Sequence, residues 1–549
     1  MSDRTGRLPA EVADRGRRLR GALPVGAGDR RWLALALLPG CVAVGVYLAT
    51  NPYPAYGAGL YAKAATAIAA DGYVPPVRIA GYTADGVPFA YPPLQLYLLA
   101  AVLDLGADPV EAARVLPGLG VLAALVPVYL LGRDVAGSRP AGAAAAAAVA
   151  LNPQLLQWHV SAGGVVRSFA FLYATTAVYA GYHVFGAGGR RSVALGAVAF
   201  GATLLTHPTY SVFVVASYLL IWGGRDRSAD GLLRGAVVGL GGGLLAAPWV
   251  GWVLATHGPG VFAAAAGTHG GVGGGLDLLA GDVSPFLLLP LPAAGYLLLD
   301  REYLLPAWFL AAVLLFEQPR FAYAVAAVLV PVAGVTLLGA ASPVERLEDG
   351  TVDWRAVAAA LLVLVGTVGG GAYLAYEMTL VTDPSTPEFL DEDAVEAMEW
   401  VGAETPDGAT FVVLGDAAEW FPALTDRTIL VGPWGVEWEG PRRYDGQFAA
   451  FETVSACHSA GCVERVAGAV GERPDYVYVP KGRYTVRGEP AVGFGTLERS
   501  FGRSPRWERA YENDGVVVYR AVAGERDPAR SGALRPAPPG TPRGAHSTR

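Results

Sequence analysis

Long uncharged apolar stretches are the feature that most constrains how this chain folds. They cover most of residues 32–377, and each is close to the ~20 residues that an α-helix needs to cross a bilayer. Only 16% of the 549 residues are charged, whereas a soluble globular chain has about 25%. Because helices satisfy their own backbone groups in lipid, the sequence predicts a polytopic α-helical membrane protein with eleven to thirteen spans. The candidate spans are 32–50, 91–106, 115–132, 141–157, 166–186, 193–206, 208–223, 235–255, 284–300, 303–317, 321–341 and 356–377.

Basic residues indicate which ends of these spans face the cytoplasm. The N-terminal segment 1–31 is rich in arginine, so it is predicted to be cytoplasmic. The other basic stretches are 190–191, 225–234 and 346–355. With all of them inside, the region after residue 378 is predicted to be extracellular, and the protein is expected in the plasma membrane.

An external C-terminal region requires an odd number of crossings. We therefore predict that 91–106, which contains Gln95 and Asp104, dips into the membrane without crossing it. Eleven spans then remain. Thirteen spans, with an extra short helix within 141–186, is the alternative.

The composition changes after the last candidate span. Segment 391–403 is predicted to be an amphipathic helix, and short β-rich runs follow it, so 378–523 is predicted to be an extracellular α/β domain. The tail 524–549 is rich in Pro, Gly, Ala and Arg without periodicity, which predicts disorder. Between Asp383 and Arg520 there are 24 acidic and 13 basic residues, which argues against nucleic acid as a partner. Two lysines against 39 arginines indicate a halophilic archaeal source or a codon bias.

The first loop, residues 51–90, and the few residues after it contain three short motifs in a recognisable order. Tyr61-Ala62 is followed by Asp71-Gly72 and then by Phe89-Ala90-Tyr91-Pro92-Pro93-Leu94. This order resembles the first external loop of GT-C membrane glycosyltransferases, with aminoarabinose transferases and protein mannosyltransferases as the nearest patterns. In that pattern an acidic pair precedes Tyr-Ala, but Gly57 and Ala58 stand here instead.

The resemblance implies sugar transfer outside the membrane. The donor would be a polyprenyl- or dolichyl-phosphate sugar, either a hexose or a pentose, and the acceptor an extracellular glycan, lipid or protein. Membrane lipid is the other expected partner. A non-catalytic GT-C scaffold that binds lipid or glycosylation partners is one alternative. A transporter is another, although we find no inverted repeat and expect no buried acidic residue within the spans.

Such a transfer needs a carboxylate or another base beside the acceptor hydroxyl. Asp85 is the first candidate and Asp71 the second, because both lie in the first loop. An Asp before Gly, as at Asp71, is also an ordinary turn residue. His159, in the next external segment, is the third candidate, with a structural role as an anchor at the membrane interface as the alternative.

Four residues are candidates for binding the donor phosphate. Arg320 is placed by the resemblance where GT-C enzymes often carry an arginine for the donor phosphate, although it could instead pair with Glu317. Arg167 precedes an apolar run without a nearby acid. His207 lies at a Thr-His-Pro break between two spans, and Tyr91 stands where aminoarabinose transferases carry a lysine beside Pro-Pro.

Aromatic residues are candidates for stacking on sugars. Trp158 precedes His159, and Trp420 and Trp434 belong to an aromatic-acidic cluster in the C-terminal domain. That cluster resembles the external domains of archaeal GT-C proteins, and a role in the domain core is the alternative. Trp158 could equally anchor the membrane interface.

The cysteines and histidines of the predicted external parts favour a disulfide over a metal site. Cys457 and Cys462 are predicted to form a disulfide, because they lie close together in an external domain. His257 and His269 leave a divalent metal open, with no carboxylate spacing in its favour.

Overall fold

The structure is a computed structural model that describes residues 26, 28–268, 272, 288, 290–339, 387–471, 473–493 and 495–522. The predicted span 356–377, the basic stretch 346–355, the tail 524–549 and His269 lie outside the described residues. The helices are numbered below over the described residues only.

The N-terminal two thirds of the chain form a helical bundle with a small hairpin in the first loop. Two short strands, β1 (Arg78–Ile79) and β2 (Val87–Pro88), pair antiparallel in that loop. The helices are α1 (Asp29–Thr50), α2 (Gly59–Ala70), α3 (Leu94–Asp104), α4 (Pro109–Ala136), α5 (Arg139–Ala150), α6 (Pro153–Val160), α7 (Gly164–Val184), α8 (Arg190–Leu204), α9 (Pro208–Arg225), α10 (Ala229–His257), α11 (Gly260–Thr268), α12 (Pro290–Leu299), α13 (Leu304–Leu315) and α14 (Arg320–Gly339).

Polar residues and prolines determine where several of these helices begin. The side chains of Asp108, Ser138, Asn152 and Ser228 each accept a hydrogen bond from a backbone N–H in the first turn of the helix that follows. The sequence predicted one span over 141–157, but the structure has α5 and α6 with a break between them. Asn152 caps a new helix there, and Pro153 supplies its first residue.

Four of the described helices, α1, α4, α10 and α14, are long and apolar enough to cross a membrane. The chain is therefore a membrane protein with a polytopic helical domain, as predicted. The total of eleven to thirteen spans stays a prediction, because residues 340–386 lie outside the described part.

Helix α3 does not have the dimensions of a crossing. Its 11 residues span roughly 16 Å at 1.5 Å per residue, about half of the hydrocarbon thickness. The backbone N–H of Leu94 donates to the carbonyl of Leu205 at 2.9 Å, and Gln95 donates to the Tyr173 hydroxyl at 2.9 Å. That 91–106 dips into the membrane without crossing it stays a prediction.

The end of the bundle away from the C-terminal domain holds a buried ion network. Asp29 of α1 pairs with Arg133 of α4 at 3.1 Å, and Asp134 pairs with His183 of α7 at 2.9 Å. The three helices are thereby fastened together near their predicted cytoplasmic ends. At the opposite end, which we call the C-domain end, Arg114 donates to the backbone oxygen of Asn51 at 2.8 Å.

The C-terminal domain is a mixed sheet covered by helices. The five-stranded sheet has the order β4-β3-β5-β9-β8, with β4, β3 and β5 parallel and β5, β9 and β8 antiparallel. The Asn513-Asp514-Gly515 turn joins β8 to β9, as its sequence indicates. The elements are α15 (Glu392–Glu404), β3 (Thr410–Val413), α16 (Phe421–Thr425), β4 (Thr428–Ile429), α17 (Pro441–Ser455), α18 (Ala460–Ala469), β5 (Tyr476–Pro480), β6 (Arg483–Val486), β7 (Glu489–Val492), α19 (Gly495–Arg503), β8 (Trp507–Glu512) and β9 (Val516–Ala521), with 3₁₀ turns at Asp416–Glu419 and Val436–Glu439.

The first loop and the C-terminal domain share one hydrophobic core. The backbone N–H of Ile429 donates to the Gly81 carbonyl at 2.9 Å, so the loop continues the edge of the sheet. The buried Tyr82 donates its hydroxyl hydrogen to the backbone oxygen of Glu419 at 2.6 Å. Arg78 pairs with Glu439 at 2.7 Å. The domain is therefore docked on the loop, a relationship that the division into 32–377 and 378–523 did not include.

Candidate functional site

The site begins with a short segment of the first loop that lies between the bundle and the C-terminal domain. The backbone N–H of Tyr56 donates to the Pro387 carbonyl at 2.8 Å, and its hydroxyl accepts from Gln157 at 2.8 Å. The Tyr56 ring stacks on Trp158 with centroids 5.4 Å apart. Contacts on both sides therefore fix the position of Gly57, the next residue.

The carboxylate of Glu419 occupies the space beside Gly57. A Cβ atom added at Gly57 would overlap the Glu419 side chain, and one added at Gly59 would overlap the Glu419 backbone oxygen. Gly57 does not have a positive φ, so its conformation is open to any residue and only space excludes a side chain. The C-terminal domain thus brings an acid to the place where the resembling family carries one in the loop.

Glu419 lies among aromatic and charged groups. Its side chain is half-buried, and the nearby indole N–H of Trp434 stabilises its charged form. Burial raises the pKa of the Glu419 carboxyl to about 8, and the charge of Asp416 adds to the rise, while Arg167 lowers it. Burial likewise raises the pKa of the nearby Glu437 to about 7. Strong desolvation with partial exposure indicates that these carboxyls line a recess.

Arg167, near the start of α7, is the cation that lowers the pKa of the Glu419 carboxyl. Its guanidinium lies over the Trp158 ring, 5.3 Å from the centroid. It is half-buried and is close enough to attract Glu419 and to repel Arg320. The Trp158 ring therefore contacts both Arg167 and Tyr56, which places an aromatic surface beside the cation.

Two tyrosines connect the first loop to the helix ends. Tyr61 and Tyr91 have ring centroids 5.3 Å apart, with their ring planes tilted by 55°. Tyr91 also meets His207 edge-to-face at 6.2 Å and Trp438 at 6.2 Å. The structure thus brings Tyr91 and His207 together, two residues that the sequence assigned to donor phosphate.

Arg320 is the most buried cation at the C-domain end, with 7% of its surface exposed. It hydrogen-bonds Gln318 instead of pairing with Glu317, and its guanidinium lies 5.6 Å from the Tyr210 ring centroid. Within the described part of the chain, its Nε has no hydrogen-bond partner. Among the described residues, the groups that act on Arg320 electrostatically are Tyr210, Tyr91 and Arg167, none of them a carboxylate. Arg167 and Arg320 are called the cationic pair below.

His159 is held in a closed hydrogen-bond network. Its Nδ1–H donates to the Leu155 carbonyl at 2.5 Å, and its Nε2 accepts from the Tyr210 hydroxyl at 2.7 Å. Only 1% of its surface is exposed. This environment favours the structural alternative, since both ring nitrogens already have partners.

The other predicted site residues lie apart from the cationic pair. Asp85 is at the tip of the β1–β2 hairpin with an exposed side chain, 3.7 Å from Arg443. Asp71 is exposed at the end of α2. Trp420 is fully buried in the domain core, and Trp434 contacts Glu419 as described above. Cys457 and Cys462 form a disulfide with Cα atoms 5.6 Å apart.

A metal site is not apparent at these residues. Within the described ranges, no group of three or more His, Cys, Asp and Glu residues could hold a metal ion. A divalent metal therefore stays an open alternative, and the proposed chemistry does not require one.

Sequence comparisons do not identify the chain, but its fold has clear counterparts. No family model and no curated protein matches it. The crystal structure of ArnT from Cupriavidus metallidurans bound to undecaprenyl phosphate aligns with a TM-score of 0.52 and 13% identity over 90% of this chain and 97% of that one. The apo structure of the same ArnT aligns with a TM-score of 0.54 and 16% identity over 89% and 98%. The protein has the GT-C fold.

Sequence reasoning singled out Arg167, Arg320, Tyr91 and His207, which the structure brings together, but it did not single out Glu419. The first three lie at the ends of apolar runs or beside Pro-Pro, where the GT-C order of motifs draws attention. No local pattern marks Glu419, which directly precedes Trp420. The only signal was indirect: Gly57 and Ala58 stand where the resembling proteins carry an acidic pair.

Proposed function

We propose that this GT-C protein is a membrane glycosyltransferase that takes a sugar from a polyprenyl-phosphate donor. The acceptor would be an extracellular glycan, lipid or protein. The observation that carries the proposal is Arg320, a buried cation with no carboxylate partner among the described residues. ArnT, which shares the fold, has been crystallised with undecaprenyl phosphate.

The argument rests on the cost of burying charge. A guanidinium away from water loses hydration free energy that a partner must offset. Arg167 repels Arg320 and increases that cost. An anion placed between the two arginines would attract both, which offsets the lost hydration of Arg320 and its repulsion by Arg167. A planar guanidinium also offers paired N–H donors that match phosphate oxygens.

The position of the cationic pair fits a lipid-linked anion. Both arginines lie at helix starts at the C-domain end of the bundle, Arg167 in α7 and Arg320 in α14. Tyr91 and His207 lie near them and can donate further hydrogen bonds to phosphate oxygens. The lipid tail of the donor would then extend along the apolar surface of the bundle, where large hydrophobic side chains are exposed, such as Leu240 and Leu244 of α10.

A non-catalytic scaffold is the second candidate, and one observation favours it. The first loop has Gly57 and Ala58 where the resembling enzymes carry acids. A scaffold would bind the same lipid phosphate without sugar transfer. Turnover, and not binding, separates the two.

Binding of undecaprenyl phosphate to the full chain in nanodiscs tests the phosphate site. Arg320→Ala is expected to weaken binding by about 2–3 kcal/mol, the range for losing a charge-assisted hydrogen bond. Arg320→Lys is expected to recover part of it, because the charge remains while the planar fork is lost. Removing Arg320 leaves no carboxylate unpaired, so the Ala variant is expected to unfold at the same temperature as the wild type or higher.

Arg225→Ala is the matched control for this measurement. Arg225 also lies over a tyrosine, with its guanidinium 3.8 Å from the Tyr182 ring centroid, but near the opposite end of the bundle. Its loss is expected to leave the affinity unchanged. Equal affinity of the wild type and Arg320→Ala for undecaprenyl phosphate would remove Arg320 from the site and contradict the proposal.

A further inference from the structure

We propose that Glu419 is the general base of the transfer reaction, supplied by the C-terminal domain to a first loop that has no acid of its own. This inference rests on the proposed function. It extends that function by assigning the proton-accepting group, and it gives the C-terminal domain a part in the active site.

The packing around Glu419 indicates a built position. Gly57 and Gly59 together leave room for the Glu419 side chain and backbone, and a Cβ atom at either glycine would overlap Glu419. The Tyr82 hydroxyl donates to the Glu419 backbone oxygen at 2.6 Å. Three residues of the first loop therefore determine where this carboxylate lies.

The 3₁₀ turn that carries Glu419 is anchored at its other end. Asp416 is 3% exposed and accepts hydrogen bonds from the backbone N–H groups of Arg487 at 2.8 Å and Gly488 at 2.7 Å. These bonds tie the turn to the β6–β7 hairpin. The Asp416 carboxylate therefore has a structural role, whereas the Glu419 carboxylate is partly exposed.

The charges around Glu419 suit a group that accepts and releases a proton. Arg167 and the indole N–H of Trp434 stabilise the carboxylate, while burial and the charges of Asp416 and Glu437 stabilise the neutral acid. Arg167 also acts on Arg320, so the base and the proposed phosphate site are electrostatically connected. A displacement at the sugar carbon requires a base on the acceptor side of that carbon and a site for the phosphate on the leaving-group side, both held in position.

The proposed step is balanced without any other reactant. The acceptor hydroxyl oxygen forms a bond to the anomeric carbon of the sugar, and the bond between that carbon and the phosphate oxygen breaks. Its electron pair stays on the phosphate, which leaves as polyprenyl phosphate beside the cationic pair. The hydroxyl proton passes to the Glu419 carboxylate and is released to water afterwards.

Turnover and binding measured on the same preparations test this role. The probes are a panel of undecaprenyl-phosphate hexoses and pentoses with water as the acceptor, read as release of undecaprenyl phosphate, together with glycan recovery in cells that lack the gene. Glu419→Gln keeps the size and hydrogen-bonding capacity but cannot take the proton, so turnover is expected to fall by about 100-fold. Binding of undecaprenyl phosphate is expected to be unchanged or tighter, because a nearby negative charge is removed.

Glu452→Gln is the matched control. Glu452 is a carboxylate of the same domain that pairs with Arg487 at 2.9 Å on the surface. Its substitution is expected to preserve turnover. Wild-type turnover in Glu419→Gln would overturn the inference while leaving the proposed function intact; no turnover by the wild type in either assay would overturn both.

Moving the carboxylate from position 419 to position 57 separates a catalytic role of Glu419 from a structural one. Gly57→Asp alone is expected to disturb the docking of the domain, since its side chain would overlap Glu419. Glu419→Ala removes both the acid and the overlap. Adding Gly57→Asp to Glu419→Ala returns a carboxylate to the same space, and it is expected to restore part of the lost turnover. A double variant as inactive as Glu419→Ala, with unchanged lipid binding and thermal stability, would count against Glu419 as the base.

Discussion

Glu419 of the C-terminal domain and Arg167 of α7 attract each other across the junction between that domain and the helix bundle. The chain thus completes its site from two parts that are far apart in sequence. Burial outweighs this attraction and raises the pKa of Glu419 to about 8. The carboxyl is therefore largely protonated at neutral pH. The pH dependence of the reaction follows from this.

We predict that kcat/KM rises with pH up to about 8 and then levels off. The base form of Glu419 is the charged one, so its fraction grows as pH increases through its raised pKa of about 8. The donor is a phosphodiester and stays ionised over this range. The measurement is the initial rate at low donor concentration between pH 6 and about 9.5, a range that brackets this pKa.

Glu437→Gln provides the control for this profile. Glu437 repels the Glu419 carboxylate, so its neutralisation is expected to lower the pKa of Glu419 and move the midpoint to lower pH. The other groups that face Glu419 are Asp416, Arg167, Tyr61, Tyr82 and Trp434. A profile that is flat in the wild type, or that keeps its midpoint in Glu437→Gln, would contradict the assignment.

Asp85→Asn is predicted to retain most of the transfer activity. Asp85 was the first choice from the sequence, but its exposed side chain contacts Arg443 at 3.7 Å and not the cationic pair. A surface ion pair of this kind contributes about 0–1 kcal/mol to stability. The test is turnover with the same donor panel beside Glu419→Gln. A fall of about 100-fold in Asp85→Asn, with Glu419→Gln active, would make Asp85 the base.

His159 and Tyr210 are predicted to act through stability. Tyr210→Phe removes the hydrogen bond to Nε2 at 2.7 Å and leaves a buried acceptor unsatisfied. The expected cost is about 1–3 kcal/mol of unfolding free energy. Thermal unfolding in nanodiscs measures it, with turnover at a temperature where the variant is folded as the second readout. If turnover fell by orders of magnitude at unchanged stability, His159 would regain its place as a catalytic candidate.

Much of the helical fold follows from hydropathy, because a bilayer leaves an apolar run few alternatives. The β8–β9 turn followed from Asn513-Asp514-Gly515. The break at Asn152 was absent from the candidate span 141–157, and only the alternative with an extra short helix within 141–186 allowed for it, since α5 and α6 are both apolar enough to be taken for one span. Capping chemistry, and not hydropathy, marks that boundary.

The docking of the C-terminal domain could not be read from the sequence in the same way. The hydrogen bond from Tyr82 to Glu419 joins residues 337 positions apart, and no periodicity reports such a contact. Arg167 was singled out because a charge beside an apolar run stands out, and Arg320 because the resemblance places an arginine there. Glu419 was not, because it is one of many acids in an acidic domain, and only the space beside Gly57 distinguishes it.

The orientation of the protein gives the last prediction: the C-terminal domain faces the outside of the cell. The basic segments at 190–191 and 225–234 lie at the end of the bundle opposite that domain, as the charge rule for cytoplasmic loops requires. Of the three cysteines, Cys457 and Cys462 are joined, so Cys41→Ser leaves no free thiol. In that background, Glu404→Cys, exposed at the end of α15, is expected to react with an impermeant maleimide on intact cells. Ala229→Cys, exposed at the start of α10, is the matched control and is expected to react only after lysis. The reverse pattern would place Glu419 and the cationic pair on the cytoplasmic side, and an extracellular acceptor would then be ruled out.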